Sequence, residues 1–166
     1  MRKHIKLFES QEQEIHTFMK KHEIENYTIT PEGIDVHQDV DLYNCELPEL
    51  PFQFNVIHGN FSCSGNKLTS LRGAPRVVQG YFSCADNKLK SLHDIPKFVQ
   101  GDFYCAYTHN AKKMKVPPWE YRFLLFSEIQ GEIETESKAL DEFFRKYKNK
   151  KSLIPQALKE LRTLTL

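Results

Sequence analysis

Apolar positions recur through the middle of the chain with a period of 21 residues. The segment GNFSCSGNKLTSL at 59–71 returns almost unchanged as GYFSCADNKLKSL at 80–92. A repeat of this length predicts a stacked architecture, because one such unit cannot bury its apolar face alone. The positions that keep the register are Gly59, Gly80 and Gly101; Phe61, Phe82 and Phe103; Cys63, Cys84 and Cys105; Asn66 and Asn87; Leu68 and Leu89; Leu71 and Leu92; and Pro75 and Pro96.

Each unit begins with a short predicted strand whose alternate residues face opposite sides. Phe61 and Cys63 are expected to face a core, whereas Asn60, Ser62 and Ser64 are expected to face outward. Strands of successive copies lie about 4.8 Å apart, so the repeated cysteines form one inward column. Parallel Cβ vectors in such a column are poor geometry for a disulfide, and free cysteine packs as a small apolar residue.

The residues after the strand turn the chain and close the core. Asn66 is expected to end the strand and to hydrogen-bond backbone groups of the turn through its amide. Leu68 and Leu71 then pack inward, and Pro75 favours an extended return segment over a helix. Cys45 occupies the position of Asn66 one period earlier and is also expected to be a free structural thiol.

The array is expected to have a degenerate first copy and an early end. Val40 lies one period before Phe61, so the first copy begins near Gln38. One period after Asn87 comes Thr108, which predicts that the array ends in the segment AYTHNAKKMK that follows the third copy.

Two elements are expected to cover the front end of the array, which would otherwise expose apolar surface. Ser10 and Gln13 form a capping-box pattern ahead of a helix. The segment YTITPEGIDV predicts a β-hairpin that turns at residues 31–33. The apolar face of the helix carries Ile15, Phe18 and Met19.

Helices are expected at the back end of the array. Pro118 could open the first of them and Gly131 could stop it. Two later helices are predicted from apolar residues at the spacing of a core-facing stripe. These helices either cap the array or form a small functional subdomain. The stripes are Leu140, Phe143, Phe144 and Tyr147, and then Ile154, Ala157, Leu158 and Leu161.

The unit F-x-C-x-x-N-x-L-x-x-L resembles the leucine-rich-repeat pattern L-x-L-x-x-N/C-x-L-x-x-L. Over residues 34–107 the chain resembles the short leucine-rich repeats of bacterial effector proteins, and it looks closer still to small leucine-rich-repeat proteins of bacteriophages. The resemblance implies a parallel-strand arc used for protein–protein contact, and it supplies no catalytic residue. Effector relatives can carry a ubiquitin-ligase domain with a cysteine nucleophile, but residues 106–166 contain no cysteine.

The predicted fold class is therefore α+β, a short leucine-rich-repeat-like solenoid with a parallel strand ladder between two caps. Residues 1–37 form the N-terminal helix and hairpin cap, residues 38–117 hold about 3.5 repeats, and residues 118–166 form the C-terminal helical cap or subdomain.

Composition and charge narrow the function classes only slightly. The chain has 166 residues, 40% of them hydrophobic, and a net charge of +1, so no global field favours nucleic acid or membrane. No signal peptide or membrane-spanning run is found, which predicts a cytoplasmic protein, in the host cell if a phage encodes it. The oligomeric state is left open.

The outward strand positions are the predicted partner-binding surface, because they can vary without touching the core. Tyrosine is enriched at protein interfaces, although an ordinary exposed strand residue is the competing interpretation. The candidate partner-binding residues are Asp41, Tyr43, Tyr81, Tyr104 and Tyr107. The first functional hypothesis is thus a non-enzymatic protein-binding module that binds or inhibits a host protein.

A basic run in RKYKNKK carries the alternative hypothesis of nucleic-acid binding, since cations contact phosphates without reading sequence. The competing interpretation is that cations near a helix C-terminus complement its dipole. The candidate contacts are Arg145, Lys146, Lys148, Lys150 and Lys151.

Catalytic and metal-binding patterns are not found in the sequence. There is no phosphate-binding loop, dinucleotide fingerprint or H-E-x-x-H motif, and the seven histidines show no mutual spacing that suggests a site. The segment GEIETES is expected to be an exposed acidic loop. We therefore expect no enzyme activity, no metal and no cofactor.

Overall fold

The computed structural model describes residues 2–105, 118–135 and 137–164. These residues form a β-solenoid flanked by helices, which confirms the predicted α+β class. The helices are α1 (Arg2–Lys21), α2 (Lys138–Tyr147) and α3 (Ile154–Thr163), with 3-10 helices at Pro118–Leu125 and Lys151–Leu153. The strands are β1 (Tyr27–Thr30), β2 (Gly33–Val36), β3 (Val40–Asp41), β4 (Phe54–Ile57), β5 (Phe61–Ser62), β6 (Val77–Val78), β7 (Phe82–Ser83), β8 (Phe98–Val99), β9 (Phe103–Tyr104), β10 (Glu128–Ile129) and β11 (Ile133–Glu134).

The strands form two sheets with the hydrophobic core between them. The front sheet has the order β11-β9-β7-β5-β3 and is entirely parallel. The back sheet has the order β1-β2-β4-β6-β8-β10 and is parallel except for the β1–β2 hairpin. The rings of Phe54 in the back sheet and Phe61 in the front sheet meet edge to face at 5.4 Å, so one core joins the two layers.

The 21-residue period becomes strand register, as the sequence predicts. Val40 pairs with Phe61, Phe61 with Phe82 and Phe82 with Phe103. The Phe61 and Phe82 rings stack at 5.6 Å, and the Phe82 and Phe103 rings stack at 5.2 Å. All three phenylalanines are fully buried.

The repeated asparagine ties each copy to the copy before it. The Asn87 amide nitrogen donates to the carbonyls of Cys63, Cys84 and Ala85, and its carbonyl oxygen accepts from the Leu68 N–H at 3.0 Å. Asn66 makes the equivalent set of bonds one repeat earlier. Because both side chains are buried, these bonds satisfy backbone groups that water cannot reach.

The repeated glycine lies where the chain passes from the back sheet to the front sheet, and there the backbones of successive repeats approach each other closely. The N–H of Gly101 donates to the Gly80 carbonyl at 2.9 Å, and the N–H of Gly80 donates to the Gly59 carbonyl at 2.8 Å. A Cβ at Gly101 would lie 2.8 Å from backbone atoms of Gly80 and Tyr81. No side chain fits at this corner, which explains why the glycine keeps the period.

The segment after each repeated proline is extended, as the sequence predicts, and its pairing into a second sheet goes beyond that prediction. Val77–Val78 and Phe98–Val99 form strands of the back sheet. Their inward residues Val78 and Val99 are fully buried. These residues are also 21 positions apart, so the signal was present, but two-residue strands give no alternating pattern to read.

The prediction that the array ends after the third copy is wrong. β10 pairs with β8 and β11 pairs with β9, each in parallel, so the solenoid continues beyond residue 118. Ile133 pairs with Phe103 at an offset of 30 residues rather than 21. The nine added residues include the 3-10 helix Pro118–Leu125, which replaces the longer helix expected there. Because of this insertion, a search with a fixed period of 21 residues does not detect β10 and β11.

Gly131 and the acidic segment after it are therefore reassigned. Gly131 is not a helix stop, because its N–H donates to the Gly101 carbonyl at 3.1 Å and it continues the glycine row. The segment expected as an exposed loop contains β11, with Ile133 buried and Glu132 and Glu134 exposed.

At the front end, the predicted hairpin is confirmed and the predicted helix start is wrong. β1 and β2 pair antiparallel around the turn at residues 31–32, with Gly33 at a φ of 137°. α1 begins at Arg2, so Ser10 lies inside the helix and cannot cap it. Residues 2–9 are mostly good helix formers, which outweigh the capping pattern. Ile15 and Met19 are buried, as expected.

At the back end, both predicted stripes lie on helices, with Leu140, Phe143, Phe144 and Tyr147 buried on α2 and Ala157 and Leu161 buried on α3. Residues of α2 and of the connection after it bond backbone groups at the ends of the last strands. Asn149 bonds both the N–H and the carbonyl of Ile129, and the Asp141 carboxylate accepts from the Thr135 N–H at 2.8 Å. These bonds cover part of the sheet edges, which supports the capping interpretation of this region.

Candidate protein-binding face on the front sheet

The residues before, within and after each front-sheet strand alternate between the core and the outside. We call the outward set the tyrosine–carboxylate face. It holds Asp39, Asp41 and Tyr43; Asn60, Ser62 and Ser64; Tyr81, Ser83 and Ala85; Asp102 and Tyr104; and Glu132 and Glu134.

Two of the predicted partner-binding tyrosines are well exposed and one is partly covered. The exposed fraction is 61% for Tyr43 and 39% for Tyr81. Tyr104 is half-buried, and its ring meets the Tyr81 ring edge to face at a centroid distance of 6.0 Å. Tyr107 lies outside the described residues.

The serines of the face are less accessible than the sequence predicted. Ser62 and Ser64 are only 8% and 7% exposed, and the hydroxyls of Ser64 and Ser83 are hydrogen-bonded at 2.6 Å. Short side chains in the middle of a sheet are shielded by longer neighbours. The serines therefore form a flat, closed floor rather than space for a partner's side chain.

One end of the face, on β3, is acidic. The Asp39 carboxylate accepts from the N–H and the side-chain amide of Asn60, and Asp41 accepts from the Tyr43 N–H at 2.9 Å. Both carboxylates act on Tyr81, whose pKa is raised by partial burial and then by Asp41 and Asp39. The Tyr81 side chain therefore lies within electrostatic reach of this acidic end.

The other end, around β9 and β11, is acidic as well. Asp102 accepts from the Tyr104 hydroxyl at 2.9 Å and from the Glu132 N–H at 2.7 Å. The hydrogen bond to Asp102 is the main cause that raises the Tyr104 pKa, followed by partial burial and the carboxylates of Asp102 and Glu134. Tyr104 therefore contacts this end directly, and its ring meets the ring of Tyr81, on which the carboxylates of the other end act.

The charged side chains at the described positions of this face are all negative. Five carboxylates occupy its outward positions, and none of the thirteen described positions that make up the face is a lysine, arginine or histidine. The whole chain has a net charge of +1. Negative charge is therefore concentrated on the front sheet by the fold, not by the composition.

The basic run predicted as a nucleic-acid contact is largely engaged within the molecule. Lys146 forms an ion pair with Glu160 at 2.8 Å, and that bond is the main cause that raises the Lys146 pKa. Lys148 donates to the carbonyls of Gln130 and Gly131, and Lys150 donates to the Lys146 carbonyl. The two remaining cations, Arg145 and Lys151, are exposed.

A histidine pair that the sequence analysis missed lies at a corner of the solenoid. The rings of His37 and His58 stack at 4.5 Å with an interplanar angle of 9°, and His58 contacts the Gln79 side chain at 3.2 Å. These two histidines are 21 residues apart and follow the period of the repeat, a spacing that the sequence analysis did not recognise. Both are exposed and occupy equivalent positions of successive repeats.

The cysteines are poor candidates for catalysis. All four are free thiols, and burial raises the pKa of Cys63 to about 12 and that of Cys84 well above its usual value. Cys45 lies 3.6 Å from the His22 ring, but burial raises the Cys45 pKa and lowers the His22 pKa. A neutral thiol beside a neutral imidazole is not an activated nucleophile.

In the part of the chain that the structure describes, no three His, Cys, Asp or Glu side chains come together as a metal-binding group. Among the described helices, none has both the length and the apolar content needed to cross a bilayer.

Comparisons with family models, with curated proteins and with solved structures found no match for this chain. Its function therefore has to be inferred from the geometry of its own residues.

Proposed function

We propose that this chain is a non-enzymatic protein-binding module of the leucine-rich-repeat type that contacts its partner through the tyrosine–carboxylate face. In line with the resemblance to phage proteins, the proposed partner is a host protein in the cytoplasm, which the chain binds or inhibits. The observation that carries the proposal is the exposure of Tyr43 and Tyr81 on a scaffold held by buried hydrogen bonds.

The scaffold suits a binding role because its inward residues determine stability and its outward residues are available for contact. The inward phenylalanines and asparagines hold the copies together, so outward residues can change with little cost to stability. Exposed tyrosine offers a large contact area and a hydroxyl while losing little side-chain entropy, which favours it at interfaces. Rigid strands also keep the cost of ordering the surface low when a partner binds.

The size of the face sets limits on the partner. Five strands span about 19 Å, and the outward residues along one strand span about 13 Å. This area of about 250 Å² is well below the roughly 800 Å² that each partner buries in a typical stable interface. The face therefore suits a short segment of a partner better than a whole domain.

Nucleic-acid binding through the basic run stays an alternative hypothesis. Engagement of Lys146, Lys148 and Lys150 within the molecule supports a structural role for most of that run. Arg145 and Lys151 are the two residues through which the alternative is best tested.

Affinity capture with matched variants tests the proposal. The tagged chain is incubated with bacterial lysate, with and without nuclease treatment, and bound protein is quantified by mass spectrometry. We expect a stoichiometric protein partner whose recovery falls at least tenfold with Tyr81→Ser/Tyr104→Ser, because loss of hot-spot residues costs about 2 kcal/mol or more.

Two control variants isolate the face. Phe126→Ser removes an aromatic ring of 63% exposure that lies outside the face, and Arg145→Ser/Lys151→Ser removes the exposed cations. Both should retain the partner, and thermal melting should show every variant folded. Recovery that depends on nucleic acid and on Arg145 and Lys151, but not on the tyrosines, would support the alternative instead.

A further inference from the structure

We propose that the tyrosine–carboxylate face binds an extended cationic segment of a protein, with two arginine or lysine side chains about four residues apart. This inference rests on the proposed protein-binding function and adds the chemistry of the partner. One cation would lie at the acidic end formed by Asp39 and Asp41, and the other at the end formed by Asp102, Glu132 and Glu134.

The first support is the distribution of charge. Carboxylates occupy both ends of the face, and none of the outward positions that the structure describes carries a cation. A partner that brings two cations is complementary to both ends, whereas a nucleic acid would be repelled at both ends. The face therefore favours a cationic protein segment over a polyanion.

The second support is the aromatic pair between the two ends. The centroids of the Tyr81 and Tyr104 rings are 6.0 Å apart, the Tyr104 hydroxyl donates to Asp102 at one end, and the carboxylates of the other end act electrostatically on Tyr81. Guanidinium and ammonium groups are attracted to aromatic ring faces as well as to carboxylates. Each end can therefore surround a cation with a carboxylate and a ring.

The third support is the shape of the surface between the ends. The serine floor is closed, with Ser62 and Ser64 nearly inaccessible and Ser64 bonded to Ser83. These buried and bonded serines leave little room for an apolar anchor among them. The partner's side chains must reach down onto a flat surface, which long arginine and lysine side chains do well.

The spacing of the two cations follows from the strand ladder. The acidic ends on β3 and β9 are three strand spacings apart, which is about 14 Å. An extended segment crossing the strands advances about 3.3 Å per residue, so about four residues separate the cations. Residues i and i+4 of an extended chain also point to the same side, whereas adjacent residues point to opposite sides.

Peptide titrations on the intact chain, followed by NMR chemical shifts at low ionic strength, test this inference. Three Ser/Gly decapeptides are compared: one with arginines at i and i+4, one with arginines at i and i+1, and one with glutamates at i and i+4. We expect the first peptide to bind at least fivefold more tightly than the second, with shifts at the face, and the third not to bind. Added salt should weaken the binding.

Variants in which one carboxylate at each end is neutralised test whether these carboxylates bind the peptide. Asp41→Asn keeps the oxygen that accepts from the Tyr43 N–H, and Glu134→Gln keeps the shape of an exposed side chain. Together they should weaken the spaced arginine peptide at least fivefold. Glu14→Gln/Glu49→Gln removes two exposed carboxylates elsewhere and should leave the affinity unchanged. The reversal Asp41→Lys/Glu134→Lys should weaken the spaced arginine peptide further, because each end then also carries a cation.

Other outcomes would overturn the inference. Equal affinity for the two arginine peptides would reject the two-end geometry, and shifts away from the face would reject the site. Self-association of the chain alone that Asp41→Asn/Glu134→Gln abolishes would assign the face to a second copy. If capture from lysate still depends on Tyr81 and Tyr104 while no cationic peptide binds, the protein-binding function stands and the cationic partner is wrong.

Discussion

Phe82→Ala should lower the free energy of unfolding by about 3–5 kcal/mol, the usual cost of a cavity left by a buried phenylalanine. Phe82 is fully buried, and its ring stacks on Phe61 at 5.6 Å and on Phe103 at 5.2 Å. The neighbouring rings cannot close the gap, because strand register fixes their backbones. Thermal melting should show a decrease in Tm of about 6–20 °C for a chain of this size.

The adjacent residue supplies the control for that experiment. Tyr81 precedes Phe82 and faces outward, so Tyr81→Ser should change the free energy of unfolding by less than about 1 kcal/mol. If Tyr81→Ser unfolds the protein and Phe82→Ala does not, the inward and outward sides of the front sheet are reversed.

Asn87→Ala should lower the free energy of unfolding by about 1–3 kcal/mol, because it leaves buried backbone groups without partners. The side chain satisfies three carbonyls and the Leu68 N–H, and it joins two successive repeats through Cys63 and Leu68. Alanine would remove all four bonds and supply none. Denaturant unfolding measures the effect as a lower midpoint.

Asn26→Ala makes the same chemical change at an exposed position and should alter stability by no more than about 0.5 kcal/mol. Equal midpoints for Asn87→Ala and Asn26→Ala would show that the asparagine row does not hold the repeats together.

Much of the solenoid could be predicted from the sequence, because its period is direct evidence of stacking. A residue that recurs every 21 positions must occupy the same site in each turn, which placed Phe61, Phe82 and Phe103 in register before any coordinate was known. The asparagine row followed from the same reasoning, since a buried amide can satisfy several backbone groups at once.

The elements that were missed are those whose signal is short or shifted. β10 and β11 resume the register after nine added residues, and only Gln130-Gly131 repeats the earlier Gln100-Gly101 pair. The start of α1 was set by general helix propensity in residues 2–9, which a single capping pattern does not override. A search with a fixed period therefore does not find β10 and β11, and a capping pattern alone does not locate the start of α1.

The candidate site was predicted in part. Alternation along the strands placed Asp41, Tyr43, Tyr81 and Tyr104 on one face. The sequence did not reveal that Glu134 joins them, because the strand that carries it was read as a loop. Burial of Ser62 and contact between the tyrosine rings depend on side-chain directions, which alternation alone does not define.

Site-specific photocrosslinking in nuclease-treated bacterial lysate tests the central claim most directly. A benzophenone amino acid is placed at Tyr43 in one variant and at Phe126 in another, two aromatic positions with nearly equal exposure of 61% and 63%. The account predicts a discrete crosslinked protein from position 43 and none from position 126. A crosslink from position 126 alone would contradict it and would place the partner near β10, outside the face.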